Sequence, residues 1–268
     1  MEKVVLTGMY LDGIATNLDI VKSRPDQCCM TAGIHPYHAT ELESANNGSG
    51  LRELADRINA TLQQQPGAIV AFGELGLDYD RTALAPKDVQ VHAFKTQLDL
   101  TVKEGWDLPL FLHCRSAFDD FIEILEPYLP SLPRKGLVHS FVGTTEQLNK
   151  LLKLGLDISV NGFSFQSQHS LEMVRAMPLE RLHLETDAPW GELKNTSELV
   201  LRYCKHAPSA LQSKKKDKWD AACMVKERNE SCMTPRVAFI VAALKGASVD
   251  EVANAAWENS NRLFRLST

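Results

Sequence analysis

The sequence predicts an α/β protein of parallel strands and crossover helices, the alternation of a (β/α) barrel, with seven recognisable strands where a closed barrel has eight. Three observations predict it: short apolar runs rich in β-branched residues recur along the chain, amphipathic stretches lie between them, and start and stop signals punctuate those stretches. The strand-like runs are KVVLTG (3–8), CCMTAGI (28–34), AIVAFGELG (68–76), LPLFLHC (108–114), GLVHSF (136–141), LDISVNG (156–162) and RLHLETD (181–187). Helices are predicted over 51–65, 89–105, 117–129 and 144–155, where apolar residues return every three or four positions. Gly105 closes the second of these, and Thr144 or Thr145 caps a helix whose end Gly155 marks. In the last predicted helix, 248–264, Ser248 and Glu251 stand at the spacing of a capping box.

All 268 residues are read as a single domain, since barrels of this kind commonly use about 250 residues. The low-complexity tract Ala-Asn-Asn-Gly-Ser-Gly is confined to 45–50. The one long irregular region is 190–236, read as an active-site loop because loops of that length in compact domains are usually functional.

Hydrophobic residues make up 44% and charged residues 24% of the chain, as in ordinary globular proteins. Lysine and arginine number 29 against 34 aspartate and glutamate, a net charge of −5, so a nucleic-acid partner requires a local basic patch or a metal rather than bulk attraction. No apolar run approaches the roughly 20 residues of a membrane span, and the start MEKVVLTGMYLDG lacks the order of a secretion signal. The expectation is an intracellular protein of the cytoplasm or nucleus. Six scattered cysteines without a CxxC pair agree with reduced packing residues.

Chemistry collects where the strands end. AFGE stops at Glu74, LFLH at His113, GLVH at His139 and HLETD at Asp187. In a parallel barrel these ends converge on the mouth that carries the active site, and two imidazoles with two carboxylates suit Zn²⁺, Mn²⁺ or Mg²⁺. Alone, each is readily a satisfied polar residue; four at one structural position predict one or two divalent ions, with a carboxylate able to bridge a pair. His35 in GIHPYH is read as a substrate-phosphate or metal-shell contact, against a loop histidine capping a turn. Glu185 shares a strand face with Asp187 and reads either as an orienting group or as an interior salt bridge. His183 reads as a packed, hydrogen-bonded core residue. Cys114 faces away from His113, which argues against a cysteine nucleophile. In SKKKDKW (213–219), Lys216 and Trp219 suit a phosphate backbone and a base, although such runs are more often solvated loop. Arg228, Asn229 and Glu230 sit compactly near the end of the long loop, and arginine suits phosphate.

Taken in order, GIHPYH, GELGLDYDR, LFLHCR, LVHSFVGT, LHLETDAPW and RNE resemble the TatD family of metal-dependent deoxyribonucleases, and SKKKDKW before RNE resembles its eukaryotic branch. The similarity runs from about residue 3 to 265. It implies a distorted TIM-type (β/α)8 barrel of the metal-dependent hydrolase superfamily. It also implies 3′-5′ exonuclease action on single-stranded or frayed DNA, with one or two ions, Mg²⁺ first and Mn²⁺ or Zn²⁺ as alternatives. By the resemblance Glu74 is the bridging ligand, His113 and His139 are metal ligands, and Asp187 is a ligand that also handles the water's proton. Glu74, Asp187 and His35 form the catalytic set; His35, Arg115, Arg228, Asn229, Glu230, Lys216 and Trp219 are the substrate contacts.

Two departures stand out. The family's first strand lies upstream of KVVLTG and has no counterpart here, which accounts for seven strands and suggests a shortened gene model or isoform with weakened activity. RNEP appears as RNES, Ser231 losing the rigid turn of proline. The nearest alternative function is a small-molecule amidohydrolase-like hydrolase. From another class, a truncated, non-catalytic interaction module is the rival.

Overall fold

The computed structural model describes residues 3–44, 49–207 and 211–266; positions 45–48 of the low-complexity tract lie outside them. Seven strands make the main sheet in sequence order: β1 (Val4–Leu6), β2 (Cys28–Ala32), β3 (Ile69–Asp78), β4 (Leu110–Arg115), β5 (Gly136–Val138), β6 (Asp157–Val160) and β7 (Leu182–Leu184). The ladders β1–β2, β2–β3, β3–β4, β4–β5 and β6–β7 are all parallel. All seven predicted strands are therefore present. Within 190–236 a two-stranded parallel ribbon forms from β8 (Ser213–Lys214) and β9 (Met224–Val225).

The helices are α1 (Leu11–Ser23), α2 (Thr40–Ser44), α3 (Ser49–Gln64), α4 (Lys87–Glu104), α5 (Phe118–Leu125), α6 (Thr145–Lys153), α7 (Gln168–Ala176), α8 (Glu198–Tyr203), α9 (Thr234–Lys245) and α10 (Val249–Phe264). The predicted capping box opens α10, with the Ser248 N–H donating to Glu251 Oε2 at 2.8 Å and the Glu251 N–H to Ser248 Oγ at 3.2 Å. Gly105 ends α4 in the left-handed conformation. Periodicity missed α9 for a physical reason. Val237, Ala238, Ile240, Val241, Ala242 and Leu244 are all buried, so the helix has apolar residues around most of its circumference and no one-sided stripe.

Most strands are shorter than predicted, β5 ending at Val138 and β7 at Leu184, so that His139 and Asp187 lie beyond their strands; β3 is the reverse. β3 does not stop near Glu74 but runs on to Asp78, and its pairing with β4 slips in register between Gly73 and Leu75. Gly73 and Gly76 permit this: both have φ near +147°, and a Cβ on either would lie within about 2.2 Å of a β4 carbonyl oxygen.

The chain divides into two compact units, one of Met1–His139, Leu154–Leu156 and Ser260–Thr268, the other of Ser140–Lys153 and Asp157–Asn259. The first contains a core of Cys29, Val70, Ala71, Phe111, Leu137 and Phe264, with Phe94 stacked on Phe121 at 5.4 Å. In the second, Ile158, Val160, Met173, Val174, Leu182, Ile240 and Val241 are fully buried. No single helix among the described residues is long and apolar enough to cross a membrane.

Candidate metal centre

The first unit brings Glu74, His113, His139 and His35 together. Glu74 lies within β3 and His113 on the neighbouring β4, while His139 directly follows β5 and His35 follows β2. One carboxylate oxygen, Glu74 Oε1, meets three imidazole nitrogens: His139 Nε2 at 2.6 Å, His113 Nδ1 at 2.8 Å and His35 Nε2 at 3.2 Å. His113 Nδ1 and His139 Nε2 are themselves 3.2 Å apart. The residues are largely withdrawn from solvent; His35, Glu74 and His139 are all buried.

Second contacts of the rings decide which nitrogens carry protons, because a neutral imidazole has one donor and one acceptor. His113 Nε2 faces Asp78 Oδ2 at 3.1 Å, so its proton belongs there and Nδ1 is left as a lone pair aimed at Glu74 and His139. His35 has the opposite arrangement. Its Nδ1 accepts the Tyr37 backbone N–H at 3.1 Å, which puts the neutral ring's proton on Nε2, toward Glu74. His35, Glu74 and His113 do offer ligand atoms within 4.8 Å of one another. Proton bookkeeping nevertheless makes His35 a donor to the carboxylate, and leaves His113 Nδ1 and His139 Nε2 as the better-placed ligands.

That grouping calls for a cation. With His113's proton committed to Asp78, its Nδ1, His139 Nε2 and Glu74 Oε1 crowd together with too few hydrogens between them. Either an extra proton or a metal ion resolves the crowding. Ligands about 2.1 Å from a common ion lie roughly 3 Å apart, as these atoms do, and a set of imidazoles plus carboxylate suits a borderline divalent ion. Without a metal, the titration tendencies favour the extra proton on the grouping. Burial opposes the charge on Glu74, yet His139 and His35 beside it, with the hydrogen bonds of His113 and His139, hold its carboxyl well below the usual range. For His113, burial favours the neutral ring, but hydrogen bonds to Asp78 and Glu74 and the Glu74 charge outweigh it and raise the pKa. His35 goes down, burial being the main cause.

Several residues that hold this centre were not singled out in the sequence. Asp78 is fully buried, accepts from Tyr37 Oη at 2.9 Å and has Arg115 Nη1 at 3.9 Å. Its backbone is clamped by Gln90, which accepts the Asp78 N–H at 2.8 Å and donates to the Asp78 carbonyl at 2.9 Å. Gln97 does the same for Ile34, next to His35, at 2.9 and 3.0 Å. Two buried glutamines two turns apart on α4, in line with Ala93, Phe94, Leu98 and Thr101, were the available signal: amides on a core-facing stripe need partners. For Asp78 the signal was strand alternation, Glu74, Gly76 and Asp78 falling at every second position. Arg115 is half-exposed and pairs with Asp80 at 3.0 Å. Burial pushes the Cys114 thiol up to about 12, away from the thiolate a nucleophile needs.

The other residues singled out lie in the second unit. Asp187, half-buried with φ +54°, begins a turn in which its carbonyl accepts the Trp190 N–H at 2.8 Å. Asn229 is buried and holds that turn: its side-chain amide donates to Thr186 O at 2.9 Å and Trp190 O at 2.7 Å, and its backbone N–H to Pro189 O at 3.0 Å. Glu230 accepts from Arg228 at 3.1 Å and from the Val225 N–H at 3.3 Å. Glu185 accepts from Asn161 Nδ2 at 3.1 Å. Lys216 is exposed, and Trp219, half-exposed, donates its indole N–H to Cys223 O at 2.7 Å.

Comparison with known proteins identifies the family. The model of the TatD related DNase family matches residues 1–265. Deoxyribonuclease Tat-D of Schizosaccharomyces pombe is 41% identical over 271 residues, which cover 98% of this chain and 83% of the relative. The 3′-5′ ssDNA/RNA exonuclease TatD of Erwinia billingiae is 35% identical, over 97% of this chain and 88% of its own length. Among solved structures, an uncharacterised amidohydrolase from Saccharomyces cerevisiae superposes with a TM-score of 0.88 at 31% identity, covering 98% of this chain and 88% of that one. A TatD family hydrolase from Entamoeba histolytica gives 0.88 at 30% identity, covering 100% and 86%.

Proposed function

The chain belongs to the TatD related DNase family of hydrolases, and from that premise we propose that it is a metal-dependent deoxyribonuclease, a single catalytic domain shortening single-stranded or frayed DNA from the 3′ end. Its place is the cytoplasm or the nucleus. The observation that carries the reading is the crowding of two imidazole nitrogens on Glu74 Oε1 while Asp78 keeps the proton of His113 on the far side of the ring. Mg²⁺ is the proposed ion, with Mn²⁺ or Zn²⁺ as alternatives, held by Glu74, His113, His139 and Asp187. Bound there, it supplies Lewis-acid stabilisation of a phosphoryl oxygen and an acidified water.

The remaining work falls to the chain. Asp187 accepts the proton of the attacking water. His35, neutral with its proton on Nε2, donates to Glu74 or to a phosphate oxygen. Asp78 orients His113, and the Gln90 clamp keeps Asp78 in place. Arg115 and Arg228 contact phosphates, Glu230 steadying Arg228; Lys216 and Trp219 extend the contact along the strand, and Asn229 holds the Asp187 turn against the substrate. With a net charge of −5, attraction to DNA is local, so binding weakens steeply with salt.

A time course on 3′- and 5′-labelled single-stranded DNA tests this. Mg²⁺-dependent stepwise shortening from the 3′ end, abolished by EDTA and by Asp187→Asn, is expected. Metal-dependent hydrolysis of amides or small esters with DNA left intact would instead favour the amidohydrolase-like alternative.

A further inference from the structure

Beside Asp187 stands an aromatic ring for which the fold has no packing use. Trp190 is 67% exposed, the most exposed of the large hydrophobic residues, and among the described residues nothing hydrogen-bonds its indole. Its backbone is the reverse, tied at both ends of the residue. The Trp190 N–H donates to Asp187 O at 2.8 Å, closing a turn, and the Trp190 carbonyl accepts from the buried amide of Asn229 at 2.7 Å. A single exposed hydrophobic side chain is ordinary; what sets this one apart is a backbone fixed in the Asp187 turn, and tryptophan has only two side-chain torsions to order when a partner arrives.

We propose that Trp190 is a stacking platform for a nucleobase of single-stranded nucleic acid, next to the phosphate attacked by the water whose proton Asp187 accepts. The inference rests on the reading of the protein as a nuclease and adds what it lacks, a contact to the base rather than to the backbone. Two features favour a base over a protein partner. The ring lies three residues from the proposed general base, in the same hydrogen-bonded turn, so whatever covers it is part of the substrate or its neighbour. It is also a single flat surface, suited to a planar ligand and to any base. Trp219, the other exposed tryptophan, is the weaker candidate because it is less exposed, at 49%, and lies outside the Asp187 turn.

The test is binding, independent of cleavage. Fluorescence anisotropy of a labelled oligothymidylate in EDTA, set beside an abasic strand of the same length, reads the contribution of the bases. Wild-type protein is expected to prefer the base-bearing strand by about tenfold, within the range of single-base stacking. Trp190→Ala should bring that ratio toward one, and Trp190→Phe should keep most of it; circular dichroism checks that each variant is folded. An unchanged ratio in Trp190→Ala, or a wild type that binds both strands alike or neither, overturns the proposal. Failure of the nuclease reading shows separately, as a wild type that binds the oligonucleotide but never shortens it with Mg²⁺.

Discussion

Glu74 in the first unit and Asp157 in the second are both buried carboxylates in contact with imidazoles, but their neighbours are arranged differently. Asp157 divides its partners: Oδ1 accepts from Arg181 Nη1 at 2.8 Å and Oδ2 from His183 Nε2 at 3.1 Å. Each oxygen has its own donor. Glu74 concentrates three imidazole nitrogens on Oε1, within 3.2 Å, and two of those nitrogens also crowd each other. The same residue types thus make an ion pair in one place and, on the proposed function, a cation site in the other. Donor-to-acceptor balance separates them, where burial and composition do not.

Exchanging the two carboxylates for amides should separate the two regions furthest. Glu74→Gln is expected to lower turnover on single-stranded DNA by about a thousandfold, since metal-assisted stabilisation is worth several kcal/mol and each 1.36 kcal/mol is tenfold. Asp157→Asn should leave turnover per folded molecule unchanged while lowering stability by about 1.5–3 kcal/mol in urea unfolding, the range for hydrogen bonds to a charged group. Equal loss of turnover in both variants would mean that the two groupings do not differ in the way described.

Asp78→Asn is the next largest effect. Loss of an orienting carboxylate behind a ligating histidine typically weakens metal affinity 10–100-fold. The weakening should appear in a metal titration even where the fold is intact, and its absence would show that His113 is oriented without Asp78.

The smallest effect is in pH, and the two regions should differ in sign. Burial works against the charge on Asp157, but His183 and Arg181 outweigh it and hold the carboxyl below its ordinary value. Its stabilisation is therefore complete above the unfolded pKa of about 3.9 and is lost as pH falls through the depressed native value. The stability gap between wild type and Asp157→Asn should be constant from neutrality down to about pH 5 and close in stronger acid. His113, raised despite burial by Asp78 and Glu74, behaves oppositely in EDTA. Its contribution is complete below about pH 6.5 and fades as pH rises through the raised native value.

Much of this was legible in the sequence because strand position is a one-dimensional property. All seven strands were found, and His183 proved to be the packed, hydrogen-bonded residue expected. Glu74, His113 and His139 were found as polar residues ending apolar runs, even though β3 continues past Glu74. What the sequence hid was pairwise. Alternation places Asp78 on the face of Glu74, but its pairing with His113 on the adjacent strand, across a register shifted after Gly73, is not written in the sequence. The proton position on His35 depends on the Tyr37 N–H folding back onto the ring, a feature of the local turn that follows Pro36. Asn229 looked like a substrate contact from its place beside Arg228; only its two carbonyl partners show that it also holds the Asp187 turn.

On the proposed function Glu74 and its imidazoles hold a metal ion, while Asp157, with a donor on each oxygen, holds none. Isothermal titration of Mn²⁺ into wild type, Glu74→Gln and Asp157→Asn, repeated in two buffers of different ionisation enthalpy, tests this difference most directly. Wild type and Asp157→Asn should bind with the same affinity and release protons as the imidazoles exchange them for metal, while Glu74→Gln should bind at least 100-fold more weakly. A wild type that takes up no Mn²⁺, or a Glu74→Gln variant that binds as wild type does, would contradict it.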